Sequence, residues 1–107
     1  GGIMKKADLE AIAGVLKGTD IFVIADEIYG ELTYEGKHTS FASIADMYDR
    51  TILISGFSKA FAMTGWRLGY ACAPKEILYE MNKIHQYAIM CAPRQASLVP
   101  SEIGCWE

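Results

Sequence analysis

The chain has 107 residues, 10 Lys+Arg against 13 Asp+Glu for a formal net charge of −3, and an apolar share of 51%. That balance excludes a disordered chain, which lacks the apolar content to offset its ordering entropy. It also argues against a nucleic-acid module, which carries a basic surplus. The length allows one small domain or part of one.

Leu9, Ile12, Ala13 and Leu16 recur at i, i+3, i+4 and i+7, which predicts a helix over about residues 6–17, stopped by Gly18. Residues 21–25 are a continuous apolar run, the pattern of a strand buried on both faces, and the run ends in Asp26 and Glu27. Residues 30–40, polar and holding Gly30 and Gly36, read as a loop with His38 solvated in it. Ser40 suits the cap of a short helix over 41–47. Residues 51–54 form a second apolar strand, ending in Ser55 and Gly56. A connection of small residues comes next over 57–66, then a third strand over 68–73. Pro74 suits the first turn of a helix over 75–90, with Ile77, Met81, Ile84 and Ala88 on its apolar face and His85 beside it. From Pro93 the periodicity fades, and residues 93–107 form a divergent tail.

Helices alternating with apolar strands specify an α/β layer fold, a mostly parallel sheet flanked by helices. Ligands of such sheets bind outside the carboxyl ends of the strands. Asp26 and the Ser55–Lys59 group come after two such ends, so both belong on one side of the sheet. Cys72, Cys91 and Cys105 are odd in number, widely spaced and without a C-x-x-C pair. They read as buried small hydrophobes in a reducing compartment rather than as metal ligands. No apolar stretch approaches the ~20 residues that cross a membrane.

Lys59 is the only charge between Arg50 and Arg67. A lone amine among small and apolar residues is costly to keep charged, and a neutral amine adds to carbonyl groups. The alternative is a lysine snorkelling from a helix end. Asp26 is either a turn cap or a carboxylate held for a cationic ligand nitrogen, and Tyr29 presents a phenol three residues on. The fork of Arg67, after Gly65 and Trp66, suits a phosphate or a structural ion pair. Glu27 reads as a salt-bridge partner.

The segments Asp26-Glu27-Ile28-Tyr29 and 55–70, with Lys59 eight residues before Arg67, closely resemble the class I/II aminotransferases, and Ala62-Met63-Thr64-Gly65-Trp66-Arg67 is similar to their aspartate/aromatic branch. The resemblance runs to about Ala92. It implies a fold type I enzyme dependent on pyridoxal 5′-phosphate, in the cytoplasm, acting as a homodimer on an amino acid and a 2-oxo acid. Lys59 is then the Schiff-base lysine and moves the substrate proton. Asp26 pairs with the ring nitrogen, Tyr29 hydrogen-bonds the ring's 3-oxygen, and Arg67 clamps the phosphate. Relatives often carry Ser three residues before the lysine, where this chain has Gly56, which leaves Ser55 and Ser58 as candidate phosphate hydroxyls, Ser58 slightly favoured. Gly1-Gly2 is similar to the end of the family's Asn-Pro-x-Gly turn. The resemblance assigns residues 1–107 to the central portion of the cofactor-binding large domain, inactive in isolation. Its alternatives are related chemistry on the same cofactor, such as β-elimination, cyclopropane synthesis or decarboxylation, and a cofactor-sensing regulator domain.

Overall fold

The computed structural model describes residues 2–94 of the chain. The first helix, α1, spans Lys6–Leu16. Its amino end is held by the Asp8 carboxylate, which accepts from the Lys5 N–H at 3.0 Å. Gly18, at φ +76°, turns the chain away after its last turn. Arg50 Nη1 donates to the carbonyls of Leu16 at 3.0 Å and Thr19 at 2.8 Å, so a distant cation satisfies the carboxyl end of α1.

The first strand, β1, is Val23–Asp26, which starts two residues later than its apolar run. Its partner explains the delay. The second strand, β2, is Thr51–Gly56, and its first residue pairs in parallel with Val23, so among the described residues no strand lies opposite Ile21 and Phe22. The helix predicted over 41–47 is instead a 3₁₀ turn, Phe41–Ser43, followed by Asp46 at φ +65° and a second 3₁₀ turn, Tyr48–Arg50. Phe41, Ile44 and Met47 are all buried, and their spacing of three matches the three residues per turn of this tighter winding. Ser40 makes no side-chain cap; its hydroxyl goes to Glu27.

After β2 comes a single turn of helix, α2, Phe57–Ala60, then a 3₁₀ turn, Thr64–Trp66, and the third strand, β3, Gly69–Cys72. The sheet runs β1-β2-β3, with β1 and β2 parallel and β2 and β3 antiparallel. The α/β class holds, but among the described residues the sheet is mixed rather than mostly parallel. A parallel return needs a connection that travels the length of the sheet. The connection over 57–68 holds only two short turns, α2 and Thr64–Trp66, and closes on itself through the Phe57 N–H to the Leu68 carbonyl, so the chain turns back at the same end of the sheet. The last helix, α3, is Lys75–Ala88, beginning directly after Pro74.

The core lies on one face of the sheet. Leu9 and Ala13 of α1 meet Phe41, Ile44 and Met47, with Val23 and Ala25 of β1 packed against them. Side chains alternate along a strand, so Ile24 and Asp26 point to the other face, where Ile24 is 72% exposed. Thus the expectation of cover on both faces is met on one. The buried Thr51 hydroxyl is satisfied by the Met47 carbonyl at 2.7 Å. No residue of α3 is buried, and its predicted apolar face leaves Ile84 exposed.

The cysteine expectation is corrected. Cys72 and Cys91 are free and exposed, because Cys72 lies on an edge strand and Cys91 comes after the exposed end of α3. Cys105, residues 95–107 of the tail and Gly1 lie outside the described residues. Among the described residues no helix is long and apolar enough to cross a membrane.

Candidate active site

The register of the sheet decides which groups meet at its edge. Asp26 is the last residue of β1 and pairs with Ile54. The Glu27 N–H extends that ladder by donating to the Ile54 carbonyl at 2.9 Å. Beyond the carboxyl end of β2, α2 carries Ser58 and Lys59, both half-buried. Because β3 is antiparallel to β2, its amino end lies beside the carboxyl end of β2, with Gly69 opposite Gly56. Arg67, two residues before that end, is therefore delivered to the same edge. The three segments converge through one parallel and one antiparallel pairing.

Gly56 and Gly69 let two backbones close on each other. A Cβ at Gly56 would lie 2.9 Å from both Gly69 Cα and the Leu68 carbonyl oxygen. The chain is thus pinched at this point, with Ser55 and Ser58 within two residues on either side of it. The pinch is reinforced by the Phe57 N–H donating to the Leu68 carbonyl at 3.3 Å, and by the Phe57 and Tyr70 rings meeting edge-on at 5.9 Å.

α2 packs beside the 3₁₀ turn Gly30–Leu32, which begins directly after Tyr29. That packing sets Lys59 Nζ 5.4 Å from the centroid of the Tyr29 ring. Tyr29 is otherwise 61% exposed. Asp26 is held by its own turn, with Oδ1 accepting from the Ile28 N–H at 3.2 Å. Arg67 is exposed and donates from Nη1 to the Thr64 carbonyl at 3.0 Å, which leaves most of its five N–H donors for other partners. Among the described residues, none of Asp26, Lys59 and Arg67 forms an ion pair, and neither Ser55 nor Ser58 commits its hydroxyl. Arg67 sits at φ +53° and Ala62 at φ +53°, so the loop between α2 and β3 carries two non-glycine residues in left-handed backbone. Conformations of that kind cost ~1–3 kcal/mol each and gather at functional sites.

An amine, a carboxylate, a phenol and a guanidinium, with hydroxyls nearby, lie at one end of the sheet, and among the described residues no ion pair ties the carboxylate to either cation. The family model of aminotransferase class I and II matches residues 1–101. The chain belongs to the class I and II aminotransferases. Over 102 residues it is 54% identical to the Bacillus subtilis protein YugH, covering 95% of this chain and 26% of that one. It is 46% identical over 93 residues to the aspartate aminotransferase of Musicola paradisiaca, covering 86% of this chain and 23% of that enzyme. The crystal structure of an aromatic aminotransferase from Pyrococcus horikoshii superposes with a TM-score of 0.80 at 36% identity, over 95% of this chain and 31% of that one. The chain therefore spans 23–26% of the length of these two curated relatives.

The donor set fits pyridoxal 5′-phosphate on its own chemistry. An amine matches the aldehyde, a carboxylate the pyridinium nitrogen, a phenol the 3-oxygen, and a guanidinium with hydroxyls the phosphate. The partners of Glu27 are not legible in the sequence. Its carboxylate accepts from His38 Nε2 at 2.8 Å, from the Ser40 hydroxyl at 2.9 Å and from the Phe41 N–H at 2.9 Å. His38 is therefore partnered rather than simply solvated. The available signal was a lone His and a Ser two residues later, which polar loops contain for many reasons.

Proposed function

We propose that residues 1–107 are the central portion of the large domain of an aminotransferase that uses pyridoxal 5′-phosphate. The reaction moves an amino group between an L-amino acid, aspartate, aromatic or similar, and a 2-oxo acid. The observation that carries this reading is the convergence of Asp26, Tyr29, Lys59 and Arg67 on one sheet edge, with Lys59 Nζ 5.4 Å from the Tyr29 ring.

Each residue has a role its chemistry supports. Lys59 would hold the cofactor by its aldehyde, and its Nζ, when free, would take up the proton of the substrate Cα. Asp26, on a rigid strand end, keeps a proton on the ring nitrogen. The bound cofactor supplies an electron sink for the charge developing at Cα. Tyr29 holds the 3-oxygen and orients the ring against Lys59. Arg67 anchors the phosphate, with Ser58 or Ser55 adding a hydroxyl. The reading includes a homodimer and a cytoplasmic location, which the free, exposed thiols of Cys72 and Cys91 suit.

The experiment is spectroscopic. The full-length enzyme carrying this segment is expected to show a cofactor absorption band that shifts on adding an amino acid. Lys59→Ala is expected to abolish the shift while leaving weak cofactor binding. Normal amino transfer by that variant would remove Lys59 from the role.

A further inference from the structure

The strand end that carries Asp26 and Tyr29 leads into a loop that folds back onto it. The fold-back is held by one side chain. Glu27 is only 13% exposed at its side chain, although it lies between exposed Asp26 and the half-buried Ile28. Its carboxylate accepts three hydrogen bonds, all from residues 38–41: His38 and Ser40 by side chain and Phe41 by backbone. Its backbone is fixed as well, with the N–H on Ile54 and the carbonyl accepting from the Gly30 N–H at 2.9 Å. A carboxylate with that many charge-assisted or backbone partners is a rigid anchor.

The anchor reaches the site through Gly30. The His38 ring lies against it so closely that a Cβ there would be 2.9 Å from His38 Cδ2. Gly30 comes directly after Tyr29 and opens the 3₁₀ turn that packs beside α2. Tyr29 is itself mostly exposed, so side-chain packing does not set its place. The backbone between Glu27, fixed to β2, and Gly30, covered by His38, holds it against Lys59.

From this geometry we infer that Glu27 and His38 form a positioning clamp for Tyr29: the His38–Glu27 hydrogen bond holds the His38 ring on Gly30, and through it the Tyr29 ring over Lys59 Nζ. Neither residue touches the Lys59 amine, so both act through Tyr29. The inference deepens the proposed function and rests on it, since Tyr29 and Lys59 are the pair assigned to the cofactor ring.

The test reads the Lys59 amine itself and needs no cofactor. The cofactor-free full-length enzyme is acetylated at limiting reagent, and modification of Lys59 is measured by peptide mass against exposed Lys75. Tyr29→Ala and His38→Ala are each expected to raise Lys59 modification ~2–5-fold, the factor that corresponds to a cation–π contact at an exposed site. The double variant is expected to match the single ones, because both remove the same contact. His38→Gln, which keeps a donor to Glu27, is expected to restore the parent rate in a chain of unchanged fold. Multiplying effects in the double variant, or a Lys59 rate unmoved by either single variant, would overturn the clamp. Treating the parent with pyridoxal phosphate and borohydride separates the clamp from the cofactor role: no label at Lys59 would sink the cofactor role, while the acetylation result decides the clamp regardless.

Discussion

Lys59 Nζ lies 5.4 Å from the centroid of the Tyr29 ring, although the two residues are 30 positions apart, Tyr29 in the turn after β1 and Lys59 in α2. The contact exists because β1 and β2 pair in parallel, so that the segments leaving their carboxyl ends emerge at the same edge.

Asp26 separates charge from geometry. Its Oδ1 accepts from the Ile28 N–H, and an Asn side chain keeps that acceptor. Asp26→Asn is therefore expected to leave the turn and the thermal melt unchanged while removing the negative charge proposed to face the ring nitrogen. Amino transfer by the full-length enzyme is expected to fall at least ~100-fold, about 2.7 kcal/mol of barrier. Steady-state kinetics beside a melting curve distinguish the two; an equal loss of stability would assign Asp26 to the turn alone.

The loop between α2 and β3 holds two residues against their backbone preference. Ala62 is exposed at φ +53°, so Ala62→Gly loses almost no contact and relieves the left-handed strain. The relief of ~1–2 kcal/mol is partly offset by the greater freedom of glycine in the unfolded chain, so a net gain of ~0.5–1 kcal/mol is expected. Arg67→Gly relieves the same strain and removes the guanidinium. It is expected to change stability by less than ~1 kcal/mol yet to weaken binding of pyridoxal phosphate severely. Denaturant melts and a cofactor titration of the full-length enzyme check both.

How much of the fold is legible in the sequence depends on the range of each interaction. α1, β2 and α3 are readable because their periodicity or apolar run is local. The start of β1 is not, because Val23 begins the strand only by pairing with Thr51. The run 41–47 reads as α-helix because Phe41, Ile44 and Met47 fit either winding, and Asp46 at φ +65° is a backbone choice no composition announces. The site candidates are readable as residue types, and the Lys59-to-Arg67 spacing carries the family. The reversal of β3 that brings Arg67 to the edge is not, since strand direction depends on where the connection ends. Glu27 and His38 stay unpaired in the sequence because their contact needs the loop to fold back across 11 positions.

The burial pattern makes a sharp comparison within the core. Met47 is 1% exposed and Ile12, on the predicted apolar face of α1, is 40% exposed. Met47→Ala is expected to cost about 2–5 kcal/mol through the cavity it leaves. Ile12→Ala is expected to cost well under half as much. Chemical denaturation ranks them; the reverse order would place the core elsewhere.

The exposed apolar side chains lead to a prediction about the isolated segment. Ile24 on the open sheet face, and Ile84, Tyr87 and Met90 in and after α3, are all more than half exposed. Surfaces of that kind drive association when nothing covers them. The 107-residue chain alone is expected to self-associate and to melt without a sharp cooperative transition. Sedimentation and calorimetry test this, and a monomer with a sharp melt would contradict it.

Lys59 is the amine proposed to bind the cofactor. The full-length enzyme is incubated with micromolar pyridoxal phosphate, reduced with borohydride and digested, and the labelled peptides are identified by mass. One label is expected, on Lys59. Labels scattered over Lys37, Lys75 and Lys83 with Lys59 unmodified would contradict it.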